Sequence, residues 1–395
     1  MTGRNTTMSR STMTARERVI AAIEHQEPDR VPRYDAFWED TVAKYIADGL
    51  HLPPQRQVLV DGQAKNLGNP IEEYFGFDLQ CLYMDVSMRF PSRLVSDDGT
   101  MIVVEDQCGY TAQKFKGKAS SLHFLSHKIN DQADWERYRH QFAFNPQETA
   151  RVDCEGYFFR TKPYPSWDGV RTIYEAMRTN GKYLTVVGYG PFEATWRHHG
   201  FENCLMDLIC EPDLMMDMFD KAATVVIDTL AHMIKLGMKP DGMWLIEDMG
   251  GTHTTLFSPD TYRTCLLPYH KKVGSFLKAN GIHFLMHSCG KIESLLPDLI
   301  DAGLDVIQAL QVNTGMDVVD LKARFGDKLT FFGNIGEQTF AQGKDAIEAE
   351  LRRKIPVAAA GGGYIYHSDH SIPPEVELAT YQHAMHILEE IGVYS

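Results

Sequence analysis

The stretch His287-Ser288-Cys289-Gly290 closes the apolar run Ile282-His283-Phe284-Leu285-Met286. If that run is a short buried strand, residues two apart point to the same face, and His287 and Cys289 project together from its carboxyl end. One borderline nitrogen ligand and one soft thiolate, side by side, suit Zn²⁺ better than other common biological metals. Two ligands do not make a site. In an isolated H-x-C pattern, a buried cysteine and a hydrogen-bonded histidine ending a strand are the commoner meaning, so the elements that position the pair have to decide.

After Gly181 the chain repeats strand then helix. Tyr183–Tyr189, Gly242–Ile246, Ile282–Met286, Val306–Ala309, Leu329–Phe332 and Tyr364–Tyr366 read as strands, separated by amphipathic segments such as Asp213–Leu236, Pro259–Ala279 and Val318–Phe325. This alternation indicates a parallel sheet. The series is long and regular, and no Pro/Ser-rich linker divides it, so a (β/α)₈ TIM barrel is the economical solution, with a doubly wound sheet as the runner-up. The dinucleotide fingerprint is missing: Gly361-Gly362-Gly363 precedes a strand instead of opening a helix, which makes it a tight helix-to-strand turn. Upstream, Thr14 caps a helix that Pro28 stops, and residues 30–37 are a candidate first strand. Between about residues 79 and 129 short alternating runs, including Met101-Ile102-Val103-Val104 and Leu122-His123-Phe124-Leu125, suggest an antiparallel β insertion. Residues 1–13, rich in Ser and Thr, read as a disordered tail, leaving 14–395 as one TIM-barrel domain.

Composition narrows the partners. A net charge of −14 with no basic stripe argues against nucleic acid. No apolar run approaches the roughly 18 residues a membrane helix needs. Seven scattered cysteines without CxxC spacing read as reduced thiols in a cytoplasmic setting.

In a TIM barrel every strand delivers its carboxyl end to the face that holds the active site. Here those ends carry Tyr189-Gly190-Pro191-Phe192-Glu193, Glu247-Asp248-Met249-Gly250, His287-Ser288-Cys289, Gln308 to Gln311, Asn334 to Gln338, and His367-Ser368-Asp369-His370. Single polar residues at strand ends are ordinary caps; this concentration of His, Cys, Asp and Glu on one rim favours a metal site. Asp248 and Glu247 are candidate catalytic residues, as proton donor, further ligand or partner of a ligand histidine. Glu337 has similar standing as a substrate contact, while Tyr189, Phe192, Trp196 and Met249 are candidates for an aromatic-accepting pocket or for the core. His283, His198, His199 and His367 read as ordinary histidines, and Arg16, Arg18 and Arg30 as supports for the bottom or side of the barrel.

From Arg16 to Gly392 the chain resembles the uroporphyrinogen decarboxylase superfamily, and within it the branch of zinc-dependent, corrinoid-linked methyltransferases. The motifs are Arg16-Glu17-Arg18-Val19, Glu27-Pro28-Asp29-Arg30-Val31-Pro32, Gly190-Pro191-Phe192-Glu193, Gly200-Phe201-Glu202-Asn203, Glu247-Asp248-Met249-Gly250, Pro268-Tyr269-His270, His287-Ser288-Cys289-Gly290 and Gly361-Gly362-Gly363-Tyr364-Ile365. Each is weak alone; in this order they are specific. The decarboxylases carry an arginine-rich motif that grips substrate carboxylates, whereas the corresponding stretch here, residues 33–40, is acidic and aromatic. The methyltransferases that use coenzyme M supply a second cysteine after the last strand, where this chain has His370.

The resemblance therefore implies zinc held by His287, Cys289 and His370, and a methyl group moved between a small methylated compound and a corrinoid (cobalamin) on a partner protein. An aryl methyl ether suits such a site, because a Lewis acid stabilises the oxygen left behind in O-demethylation. The resemblance also makes a homodimer plausible. Two competing readings are a metal-independent decarboxylase of another carboxylated substrate, which needs arginines such as Arg33, Arg197 or Arg263 at the pocket, and a non-catalytic small-ligand barrel.

Overall fold

A computed structural model describes residues 12–117, 121–156, 160 and 162–394. Its eight-stranded sheet runs in the order Tyr364–Ile365, Thr330–Gly333, Val306–Ala309, His283–Ser288, Gly242–Ile246, Tyr183–Tyr189, Leu79–Met84 and Val152–Asp153. All neighbours are parallel except the last pair. Residues 31–37 close the ring. Arg33 bridges Tyr366 in parallel, the Tyr34 N–H donates to the Tyr366 carbonyl, and the Asp78 N–H donates to the Arg33 carbonyl. Residues 31–37 and the seven parallel strands make a (β/α)₈ TIM barrel, and Val152–Asp153 is an antiparallel appendage.

The strands are apolar along their whole length because helices cover one side and the barrel interior fills the other. Every residue of Tyr183–Tyr189 is buried, as is every residue of Val306–Ala309 and Thr330–Gly333. The helices take their starts from local chemistry. Thr14 and Glu17 form a capping box at Ala15–Ile23, and proline occupies the first turn of Pro191–His199, Pro212–Lys235 and Leu267–Ala279. Between Lys344–Ala359 and the last strand, Gly361, Gly362 and Gly363 all have positive φ, and a Cβ on Gly362 would meet the Gln26 backbone at 2.6 Å. Glycine is required there, as expected for a tight helix-to-strand turn.

The start of the antiparallel insertion differs from expectation, and several strand ends shift by one or two residues. Leu79–Met84 is a barrel strand paired with Tyr183–Tyr189. The antiparallel insertion is the four-stranded sheet Arg93–Asp97, Met101–Glu105, Tyr110–Phe115 and His123–His127. The short run Leu79–Met84 is indistinguishable by periodicity from the insertion strands after it; only its partner assigns it. Of the tail expected over residues 1–13, residues 1–11 lie outside the described residues, while the Met13 N–H donates to Asp29 Oδ2 at 3.2 Å.

The amino-terminal end of the barrel is held by buried ion pairs. Asp78, 1% exposed, accepts from Arg18 Nη1 at 2.6 Å and from both terminal nitrogens of Arg30 at 2.8 and 2.9 Å. Asp241 does the same for Arg16 and Arg178. A cavity of about 740 Å³ opens at this end, beside Arg16, Asp241 and Asp305, away from the strand ends that carry the histidine–cysteine pair. Removing Asp78 would leave the buried Arg18 guanidinium short of a partner, a loss of about 3–5 kcal/mol. Asp78→Ala should therefore unfold at markedly lower denaturant concentration than the parent chain; equal midpoints would refute the role given to this cluster.

Candidate metal centre

Strand Gly242–Ile246 lies beside His283–Ser288 in parallel register, with Ile246 opposite His287. Hydrogen bonding continues past the sheet: the Glu247 N–H donates to the His287 carbonyl at 2.9 Å and the Met249 N–H to Ser288 Oγ at 3.0 Å. Beyond that the Lys291 N–H donates to the Gly251 carbonyl at 2.8 Å. Two glycines make this approach sterically feasible. A Cβ on Gly290, whose φ is +80°, would lie 2.3 Å from the Gly250 carbonyl carbon, and one on Gly250 would lie 2.5 Å from the Cys289 oxygen. The two strand ends are thereby locked together, and Asp248 Oδ1 accepts the Cys289 N–H at 2.8 Å.

The locked ends place Asp248, His287 and Cys289 with one donor atom each within 4.8 Å of one another, the one such His/Cys/Asp/Glu group among the described residues. Cys289 Sγ is 3.3 Å from His287 Nε2 and 3.6 Å from His370 Nε2, and His287 Nε2 is 3.3 Å from Asp248 Oδ1. In a tetrahedral zinc site, sulfur and nitrogen ligands lie about 3.6 Å apart and nitrogen and oxygen about 3.4 Å. The donor set and its spacings thus fit Zn²⁺. Gln308 Oε1 accepts the other ring nitrogen of His287, Nδ1, and so turns Nε2 toward the cluster.

The electrostatics favour anionic ligands facing cationic imidazoles. Burial opposes ionisation of Cys289, but the charge and hydrogen bond of His287, with that of His370, hold its thiol below the usual range. Burial also opposes the charge on Asp248, while His287 and the Cys289 N–H hold its carboxyl well below the usual carboxylate range. Asp369 and Cys289 raise His370 to about 10 against the effect of burial. The protons that hold these groups together are the ones a divalent cation would displace.

His370 arrives from the last strand. Asp369 Oδ2 accepts the Val312 N–H at 2.9 Å and Oδ1 the Glu337 N–H at 2.9 Å, so one buried carboxylate ties three strand-end loops together. Around the cluster lies a cavity of about 340 Å³. Tyr34, Tyr83 and Trp244 give it aromatic walls, and Gln308, His367, Asp369 and Ser371 add polar groups to those of His287, Cys289 and His370. No lysine or arginine lines it among the described residues.

Several expected site residues lie elsewhere. Glu247 is fully buried and points away from Asp248, because successive residues at a strand end face opposite ways. Its carboxylate accepts the Phe192 and Glu193 N–H groups at 3.1 and 2.7 Å and pairs with His270 Nε2 at 2.7 Å. It caps the helix Pro191–His199 and does not reach the cavity. Phe192 packs edge-on against Phe257, and Trp196 against Phe124 and Phe201. Tyr189 lies under the Arg197 guanidinium, and Met249 is wholly in the core. None of these four lines the cavity: the helix Pro191–His199 carries Phe192 and Trp196 outward, Tyr189 packs under Arg197, and Met249 turns into the core. Glu337 stands at the rim beside Asp369 and His370, where burial raises its carboxyl. Conversely Tyr34, Tyr83, Trp244, Gln308 and His367 line the cavity. The signal for Trp244 and Gln308 was available in the inward alternation along their strands; that for Tyr34 and His367 was not, because barrel closure alone brings residues 34 and 367 together.

Gly290→Ala touches no ligand atom, yet it should cost about 1–3 kcal/mol of backbone strain at positive φ and push the two strand ends apart. The expected result is a folded chain with substoichiometric zinc by elemental analysis; full zinc occupancy would show that the interlocked loops do not set the ligand geometry.

A profile of the uroporphyrinogen decarboxylase (URO-D) family matches residues 163–391. The uroporphyrinogen decarboxylase of Psychromonas ingrahamii is 26% identical over 223 residues, 53% of this chain and 60% of that protein. That of Ectopseudomonas mendocina is 27% identical over 223 residues, 54% of this chain and 59% of the relative. The match therefore spans only about three-fifths of these relatives. A methyltransferase from Methanosarcina mazei shares the fold at a TM-score of 0.64 and 15% identity, over 96% of this chain and 99% of that one. More than half of the sequence, including both ends of the interlocked loops, lies within the matched profile, and the chain belongs to the uroporphyrinogen decarboxylase family.

Proposed function

We propose that the protein is a zinc-dependent methyltransferase that moves a methyl group between a small methylated compound, an aryl methyl ether in our reading, and a corrinoid carried by a partner protein. The observation that carries the proposal is the cluster of Cys289, His287 and Asp248 at spacings matching a zinc coordination sphere, with His370 outside that group but its Nε2 3.6 Å from the Cys289 sulfur, beside a cavity with aromatic walls. His287 and Cys289 would hold the ion, with Asp248 and His370 completing the sphere or leaving one position to the substrate. Zinc bound there supplies a Lewis acid for the oxygen from which the methyl group departs. The chain's own residues orient and exclude water: Gln308 sets the His287 ring, Asp369 anchors His370, and Tyr34, Tyr83 and Trp244 offer ring faces to a flat substrate. No side chain of the cavity is a strong enough nucleophile for an ether methyl group, which is why a reduced corrinoid is required as co-substrate.

A decarboxylase acting on a polycarboxylate is less well supported. It needs cationic groups at the cavity, and the three candidate arginines are engaged elsewhere: Arg33 with Glu389, Arg197 with Glu193, and Arg263 with Asp260 and Asp298. A non-catalytic barrel is disfavoured by the reach of His370 to the Cys289 sulfur. A cytoplasmic setting, a corrinoid-protein partner and a homodimer belong to the same proposal. No helix among the described residues is long and apolar enough to cross a membrane.

Zinc analysis and methyl transfer to cob(I)alamin, run side by side on wild type and Cys289→Ala, test the proposal. About one zinc per chain with transfer from an aryl methyl ether is expected in wild type, and both should vanish in the variant, since loss of one ligand removes the open, charged site. A wild-type chain that takes up no zinc on reconstitution would end this reading.

A further inference from the structure

His367 lies on the wall of the metal cavity and is almost wholly buried, but it is not among the clustered ligand atoms. Its Nδ1 faces two acceptors, the Ser368 carbonyl and Asp35 Oδ1, the latter at 3.6 Å. A ring nitrogen between two acceptors carries the proton, so the neutral ring presents the lone pair of Nε2. Nε2 has no protein partner among the described residues and is the ring nitrogen turned away from Asp35. Tyr34 and Phe332 fix the ring from its two sides, with centroids 5.8 and 5.1 Å away.

Asp35 is placed with equal care. It is buried, and it accepts from the Ser368 N–H at 3.3 Å, from Ser368 Oγ, and from the Tyr381 hydroxyl at 2.9 Å. Among the described residues no lysine or arginine pairs with it. Burial raises this carboxyl and lowers the His367 imidazole, so the ring is neutral at rest and any proton it gains is stabilised by the carboxylate behind it. A carboxylate that orients a histidine and then supports its imidazolium is the arrangement that makes histidine a general base.

We infer that His367, oriented by Asp35, is the acid–base catalyst of this cavity and exchanges a proton with the hydroxyl form of the substrate through Nε2. The reaction half of this inference rests on the methyl-transfer proposal; the binding half does not. When the methyl group leaves, the oxygen–carbon bond breaks with its electron pair staying on oxygen. The methyl group would pass to the reduced corrinoid of the partner, which would supply both electrons of the new carbon–cobalt bond. As negative charge develops on the oxygen, neutral His367 takes up a proton from water at Nε2 and passes it to that oxygen, which departs as a hydroxyl compound and leaves the ring neutral again. In the opposite direction the neutral Nε2 accepts the hydroxyl proton as the oxygen attacks the methyl group.

The test uses the full zinc-loaded chain and two probes of nearly equal shape, 4-nitrophenol, which has the proton, and 4-nitroanisole, which has a methyl group in its place. Titrations are run at a pH where free 4-nitrophenol is mostly protonated. Wild type should bind 4-nitrophenol with the absorbance of its anion. His367→Gln should bind it about tenfold more weakly or worse and without the anion band, with the affinity for 4-nitroanisole unchanged, as expected for loss of one charge-assisted hydrogen bond. His367→Asn replaces the glutamine variant if that chain fails to fold. Unchanged 4-nitrophenol binding in the variant, or none in wild type, overturns the inference. Zinc measured on the same samples separates the two proposals: a chain that binds 4-nitrophenol through His367 but holds no zinc keeps the base and discards the zinc methyltransferase.

Discussion

The backbone contact between Gly250 and Gly290 is the constraint on which the candidate site depends. Asp248 and Cys289 belong to neighbouring strands, and parallel pairing alone would bring only their strands side by side. Their donor atoms converge because the chains stay zipped beyond the sheet as far as Gly251 and Lys291, through the Met249–Ser288 and Lys291–Gly251 hydrogen bonds. That contact excludes any Cβ at either glycine. The same contact delivers the Cys289 N–H to Asp248, so the backbone that positions the thiolate also orients the carboxylate.

Burial imposes a second layer of order. A cluster containing a thiolate, a carboxylate and two imidazoles is costly in an apolar cavity unless each member is paired or a cation is shared. Each of these side chains has a fixed support: Gln308 for His287, Asp369 for His370, and the strand-end lock for Asp248 and Cys289. Asp369 in turn is held by backbone N–H groups of two other loops. The site is therefore rigid before any ligand arrives, which spares the cost of ordering it on binding.

The two ends of the barrel are charged for different purposes. At the amino-terminal end, Asp78 and Asp241 are saturated by arginines, and those ion pairs hold Ala15–Ile23 and Trp167–Arg178 to the strand starts. At the carboxyl end no lysine or arginine among the described residues lines the cavity, and its ionisable groups include His287, Cys289, His367, His370 and the anchoring Asp369.

From the sequence alone, the alternation of strand and helix determined the TIM barrel, and the bounds of Tyr183–Tyr189, Gly242–Ile246 and Val306–Ala309 were legible because strands buried on both faces are continuous apolar runs. The H-x-C spacing determined that His287 and Cys289 point the same way, since the period of a strand is two. What the sequence could not determine was every relation set by contacts between distant segments. Only the tertiary structure placed Leu79–Met84 in the barrel, turned Asp248 inward and Glu247 outward, and took Phe192, Trp196 and Met249 into the helix layer and core. It also brought Asp35 behind His367 across more than three hundred residues. Local periodicity records which face a side chain takes within its own element; which elements share that face is settled by closure of the barrel, and that is where the chemistry of this cavity is assembled.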